Sequence, residues 1–314
     1  MKKKYIEEYV QINEIEQYFL HVQSDSRDVV ILLHGGPGLA NSYLAYFQQP
    51  YLDFCNVVYY DQRGAGKTQI KNQSKAESLS FDVLLEDLRR TIAYVRKRYD
   101  TDRIFLAGHS WGSVLGTQYV LTYPNDVAGY IGYGQGVPGA KQDRHYYEFL
   151  KAEVMKSGNQ EHISAIMQVH ESFPDVRRED YFEQYNIIAG IGFGCGYDFF
   201  VNDVFKIYAG SPTWSKEDEL ISESVEKLNE KLYAEVLFNW EVSNAIDYAV
   251  PVYYILGRHD EMTSAVMAAE YFETIKAPKK ELYWIEDAGH LVDTDNPAAF
   301  FKGECEKKSV NSFL

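Results

Sequence analysis

Hydrophobic and polar positions alternate at the start of the chain. Tyr5, Ile6 and Val10, then Ile15, Tyr18, Leu20 and Val22, mark residues 3–23 as two antiparallel strands opening a sheet. A different pattern follows. Val29–Leu33, Val57–Tyr60, Ile104–Ala107 and Val252–Leu256 are unbroken apolar runs, each leading into a glycine, aspartate or histidine, as strands buried on both faces do. Between the second and third runs, Phe81–Tyr99 places Leu84, Leu88, Ile92 and Val95 on one helical face, with Ser80 positioned as its N-cap. Strands alternating with helices imply a mostly parallel sheet joined by right-handed crossovers.

After a strand-like stretch at Val127–Tyr133 the alternation stops, and it resumes only at Val250. The interval reads as helix at Tyr146–Val154, at Ile163–Val169 and at Leu220–Val236, where Ile221, Val225, Leu228, Leu232 and Val236 keep helical spacing. The stretch GIGFGCGYDFF at 190–200 reads as a flexible hinge within it. The expected organisation is therefore an α/β core of residues 1–135 and 245–314, carrying a helical cap over 136–244.

Composition narrows the function classes. Of 314 residues, 46% are hydrophobic and 25% charged, enough to bury a sizeable core and too apolar for a disordered chain. With 31 basic against 46 acidic residues the net charge is −15, which disfavours nucleic acid and anionic membrane surfaces as partners. Cys55, Cys195 and Cys305 are too few and too scattered for a disulfide framework or a zinc site. The N-terminal MKKKYIEEYVQIN lacks the apolar run of a signal peptide, and no stretch approaches the ~18 apolar residues of a membrane span. A cytoplasmic location is expected, with neither cofactor nor metal.

The candidate chemistry sits at strand ends. Gly108-His109-Ser110-Trp111-Gly112 follows one apolar run and opens a helix-compatible segment. A serine on such a tight strand-to-helix turn is held with its hydroxyl exposed, and the new helix aims free N–H groups at the same spot. A serine needs a base, and the base an orienting carboxylate. Asp260 follows the run at 252–256, and His290 follows the strand-like Leu282–Ile285, in the order Ser, Asp, His. Taken singly, a histidine or aspartate near a strand end is an ordinary surface or capping residue; the order and context of these three argue for a triad. The glycine-rich His34-Gly35-Gly36-Pro37-Gly38 leaves Val29–Leu33 and would supply a second oxyanion donor. Gly36 and Trp111 N–H are the expected pair, with Gly35 as the alternative to Gly36, and His34 is read as bracing the loop. Other motifs fail. Gly66-Lys67-Thr68 lacks the first glycine of a phosphate loop, which falls on Asp61; His170-Glu171 meets Pro174 where a zinc motif needs histidine; and the glycines at 190–196 fit no dinucleotide fingerprint.

With these motifs in place the chain resembles the α/β-hydrolase superfamily, and within it the proline iminopeptidase-like serine aminopeptidases. His34 to Gly38 resembles their oxyanion loop, Asp61-Gln62-Arg63-Gly64-Ala65-Gly66 their DQRGxG loop, and Gly108 to Ser113 their nucleophile elbow, with His109 where glycine is commoner. The resemblance implies an α/β-hydrolase fold with an inserted cap and release of an N-terminal residue, proline preferred, from small peptides. It also implies glutamates that hold the substrate amine, with Glu261 and Glu230 as the matching positions and Glu235 and Glu241 as substitutes. On periodicity alone Glu230 lies opposite the Leu228/Leu232 stripe and reads as a solvated helix-face charge; Glu261 reads equally as an acid at a helix start near Thr263. Two rivals remain: an esterase or amidase for a small apolar acyl substrate, and a protein that binds a small molecule without turnover.

Overall fold

A computed structural model describes residues 4–73, 79–175, 177–220, 225, 227–230, 232–233, 236 and 246–302. Its sheet has eight strands: β1 (Lys4–Ile12), β2 (Ile15–Gln23), β3 (Val29–Leu33), β4 (Asn56–Tyr60), β5 (Ile104–Ser110), β6 (Gly129–Gln135), β7 (Val252–Gly257) and β8 (Lys280–Ile285), in the spatial order β1-β2-β4-β3-β5-β6-β7-β8. The β1–β2 and β2–β4 pairings are antiparallel, and the rest are parallel. Asn13 and Glu14 both take positive φ (42° and 70°), the geometry of a two-residue turn that matches the twist of the flanking strands.

Each apolar run is buried on both faces because alternate side chains enter different cores. Ile31, Leu33, Val58, Leu106 and Tyr254 pack with Leu84, Leu88, Ile92 and Val95 of the helix Phe81–Tyr99, and with Leu115 and Phe272 from the helices Trp111–Thr122 and Ala265–Thr274. Val30, Leu32, Tyr59, Ala107 and Ile255 face the other way, onto Val292, Phe300 and Phe301. The helix Phe81–Tyr99 is bounded as its pattern predicts: Ser80 Oγ accepts from Val83 N (3.3 Å), and Asp100 ends it in the left-handed conformation. Its buried Asp87 accepts from Asn13 Nδ2 (2.8 Å), Gln17 Nε2 (2.9 Å) and Arg63 Nε (2.8 Å), tying hairpin, helix and the loop after β4 together.

Between β6 and β7 the described residues form no strand. The helix Lys141–Ser157 covers the first predicted there, Gln160–Ile166 overlaps the second only as far as Ile166, since 167–169 form a turn, and Tyr181–Ala189, Val204–Ala209 and Lys216–Leu220 are additional. Their aromatic residues form a separate core around Tyr147, Leu150, Phe173, Tyr181 and Ile188. The hinge predicted at 190–200 is corrected: Gly190–Gly194 continues the preceding helix as a π-turn. Gly192 is required there by close packing, since a Cβ would fall 2.6 Å from Asp198 Oδ2 and closer still to the Tyr146 hydroxyl. The helix predicted over 220–236 also differs. Leu220 ends the short helix Lys216–Leu220 and is exposed, Ile221 lies outside the described residues, and the described positions from 225 to 236 are helical.

Candidate active site

Six parallel strands end at one edge of the sheet, and every predicted triad residue lies at the end of one of them or in the connection that follows it. Ser110 closes β5 with φ 50° and ψ −118°, and Trp111 begins the next helix. Both flanking glycines are dictated by contact: a Cβ at Gly108 would lie 2.5 Å from Gly112 O, and one at Gly112 would lie 2.1 Å from Leu33 O. Ser113 fixes the turn by donating from Oγ to Ser110 O (2.5 Å) and accepting from Gly136 N (2.8 Å).

The loop after β3 is held by the one after β4. His34 donates from Nδ1 to Gly35 O (2.9 Å) and accepts at Nε2 from Gln62 N (3.0 Å), a pattern that requires the neutral ring. Burial pushes its pKa down to about 4, in accord with that state. Gln62 Nε2 donates to His34 O and Gln62 Oε1 accepts from Trp111 Nε1, both at 3.3 Å. Thus one glutamine joins the glycine loop to the residue after Ser110, and His34 braces the loop as the sequence suggested.

Asp260 follows β7 and is buried. Its Oδ2 lies 3.1 Å from His290 Nδ1 and accepts from Thr263 Oγ1 (2.7 Å), while Oδ1 accepts from Thr263 N (3.0 Å). Burial alone would raise the Asp260 pKa, but His290 and the Thr263 hydrogen bonds hold it below the usual carboxylate range. His290 shows the opposite balance: burial works to lower it, and the neighbouring Asp260, with Asp198 and Asp295 beyond, keeps it above its ordinary value. His109 Nε2 donates to His290 O (3.0 Å), its ring lies 4.8 Å from the His290 ring, and burial drives its pKa down to about 3.

Ser110 and Gly36 border two connected lobes. The larger, about 520 Å³, is lined by Gly36, Ser110 and His290 and walled by aromatic side chains such as Tyr43, Phe205, Tyr208 and Trp214. The smaller, about 100 Å³, is lined by Gly36, Ser110, Trp111, Val137, Tyr146 and Val236. Carboxylates also face these lobes, Asp218, Glu230 and Asp293 the larger and Asp143 the smaller, whereas no lysine or arginine lines either among the described residues.

The amine-binding candidates separate. Glu230 is partly buried and lines the larger lobe, so the solvated position expected from periodicity is corrected. The reason is Asn229, not Leu228, on the buried stripe with Val225, Leu232 and Val236. Asn229 Nδ2 donates to Gly64 O (2.9 Å), which satisfies it on the buried face, and Glu230 beside it borders the lobe. Glu261 lines neither lobe. Its carboxylate is 2.7 Å from His145 Nε2, four residues ahead of the helix Ala265–Thr274 rather than at its start. Glu235 and Glu241 lie outside the described residues, as does Cys305. Sequence reasoning named Gln62 only as part of the DQRGxG loop, without its bridging role, and missed Thr263 and Asp143; Thr263 had a local signal in its place shortly after Asp260, where an aspartate accepts from the backbone and hydroxyl of a turn.

The model of the α/β-hydrolase fold family matches residues 28–297, and the chain belongs to that family. Among curated proteins, a probable aminopeptidase YbaC of Bacillus subtilis (strain 168) is 22% identical over 277 residues, covering 87% of this chain and 86% of that protein. A proline iminopeptidase of Saccharolobus solfataricus is 24% identical, covering 91% of this chain and 86% of its own length. Among solved structures, the proline iminopeptidase of Mycobacterium smegmatis superposes with a TM-score of 0.60 at 18% identity, over 93% of this chain and 94% of that one, a likeness of fold. No helix among the described residues is long and apolar enough to cross a membrane.

Proposed function

We propose that this hydrolase uses Ser110, His290 and Asp260 as a catalytic triad and releases an N-terminal residue, proline preferred, from small peptides. The observation that carries the reading is the convergence of a positive-φ serine at a strand-to-helix turn, a histidine on the same cavity, and a buried carboxylate 3.1 Å behind that histidine. Ser110 Oγ attacks the scissile carbonyl carbon while His290 takes its proton; Gly36 and Trp111 N–H receive the developing oxyanion. His290 then protonates the leaving amine, and water completes the cycle by the same path. Asp260 keeps the ring oriented and stabilises the imidazolium.

The aminopeptidase half rests on the names of the relatives and on a cavity with four carboxylates and no lysine or arginine among the described lining residues. Glu230 is the carboxylate that this reading assigns to the substrate amine, and the described helices between β6 and β7 are assigned as the lid that limits substrate length. The working location is the cytoplasm. A second reading, an esterase or amidase of small apolar acyl groups, is favoured by the aromatic walls and by the pairing of Glu261 with His145. Rates on a prolyl arylamide and on a p-nitrophenyl ester separate the two. The aminopeptidase reading expects both substrates to be cleaved and Glu230→Gln to slow the arylamide selectively; cleavage of the ester alone would overturn it and leave the hydrolase intact.

A further inference from the structure

His290 is braced from three sides, and one brace is shared with the insertion between β6 and β7. Its ring meets Asp260 through Nδ1 (3.1 Å), and its carbonyl accepts from His109 Nε2 (3.0 Å). The amide just before it, Gly289 N, donates to Asp295 Oδ2 (2.9 Å). The other oxygen of that carboxylate, Oδ1, accepts from Val201 N (2.8 Å), which belongs to the insertion.

Asp295 therefore joins the histidine loop to residues 199–202, which pack on it. Asn202 Nδ2 donates to Thr294 O (2.8 Å), the Phe199 ring stacks on His259 with centroids 4.4 Å apart, and a Cβ on Gly289 would fall 2.4 Å from Phe199 O. No side chain fits between the two segments at Gly289. Asp295 is itself buried, where a polar group left without donors is costly. That burial raises its pKa, and the amides of Gly289, Val201 and Asn202 oppose the rise, as does the nearby His290. A carboxylate suits this place because it offers an acceptor oxygen to each segment, whereas an amide side chain offers one acceptor in all.

We infer that Asp295 is a positioning residue for His290, and that it seats the histidine only while residues 199–202 are docked against the same carboxylate. The inference rests on the proposed reading of His290 as the catalytic base. If 199–202 move away, Asp295 loses a fixed donor on one oxygen, and the Gly289 amide loses a fixed acceptor on the other. The His290 ring then shifts relative to Ser110, and a displacement of about 1 Å costs on the order of a hundredfold in rate. Docking of the insertion and placement of the base are one event, so the site works only when closed.

The test follows hydrolysis of p-nitrophenyl acetate from about pH 5 to pH 9, with sites counted by complete fluorophosphonate labelling. Asp295→Asn keeps the size of the side chain and one acceptor oxygen, and removes the charge and the second acceptor. It is expected to lower kcat per labelled site on the order of tenfold to a hundredfold, with KM within about threefold of wild type. The groups facing the His290 ring are Asp260, Asp198, Asp295 and the neutral His109, so losing one negative charge weakens the imidazolium and moves the acid limb to lower pH. A merely structural role would lower the urea midpoint and the number of labelled sites while leaving kcat per site and the acid limb at their wild-type values, and that result would overturn the inference. His290→Ala is measured beside it. Activity surviving there would overturn the base assignment and the inference with it, whereas an unchanged Asp295→Asn beside an inactive His290→Ala overturns the inference alone. Should Asp295→Asn fail to fold, Asn202→Ala serves, because it loosens the same segment at a half-buried position and leaves the charge in place. It is expected to lower kcat per site about threefold to tenfold, the scale of one hydrogen bond, with the acid limb unmoved. An unchanged kcat in Asn202→Ala would overturn the dependence on 199–202.

Discussion

His290 is held between opposed effects, and their balance is measurable. Burial works against the imidazolium and Asp260 works for it, leaving the pKa above the ordinary 6.5. The groups that face the ring are Asp260, Asp198 and Asp295 on the acidic side and His109, which stays neutral. The base form is therefore lost on acidification at a higher pH than for a free histidine. The acid limb of the kcat/KM profile should fall above pH 6.5, and in Asp260→Asn it should move down while the rate drops on the order of 10⁴-fold. A wild-type limb at or below 6.5 would contradict this balance. The strand-end positions of Ser110, Asp260 and His290 were legible in the sequence because a buried apolar run leads into the short turn that carries each. Glu230 was misplaced because helical periodicity registers apolar side chains, and here a polar one, Asn229, fills the buried position by donating to Gly64 O.

At the scale of elements, the hairpin, the loop after β4 and the helix Phe81–Tyr99 meet at one carboxylate. Asp87 and Arg63 are both almost fully buried and lie 2.8 Å apart, with Asn13 and Gln17 satisfying the remaining lone pairs. Removing one partner leaves an uncompensated buried charge, so Asp87→Ala should cost about 3–5 kcal/mol, read as a shift in the urea midpoint. A loss under about 1 kcal/mol, the range of an exposed pair, would show that the cluster is not a structural joint. The parallel strands were readable because burial on both faces leaves continuous apolar runs. The cap elements were not: Val204–Ala209 and Lys216–Leu220 are too short to show a period, and the run at 190–200 looks like a hinge although Gly190–Gly194 is helical. Gly192 there answers to a neighbouring ring, Tyr146, which local sequence does not reveal.

For the whole molecule, the net charge of −15 has a local counterpart at the sheet edge. Two lobes carry four carboxylates and no lysine or arginine among their described lining residues, a field suited to a cationic or neutral substrate and hostile to an anionic one. The composition argued only against anionic partners; the fold shows where acidic side chains border Ser110. The central claim is that Ser110 is that nucleophile, and covalent labelling tests it most directly. A fluorophosphonate probe, followed by peptide mapping of the intact chain, should mark Ser110 alone, at one label per chain, and should mark nothing after Ser110→Ala. Labelling that persists in Ser110→Ala, or that maps to another residue in the wild-type chain, would contradict the account.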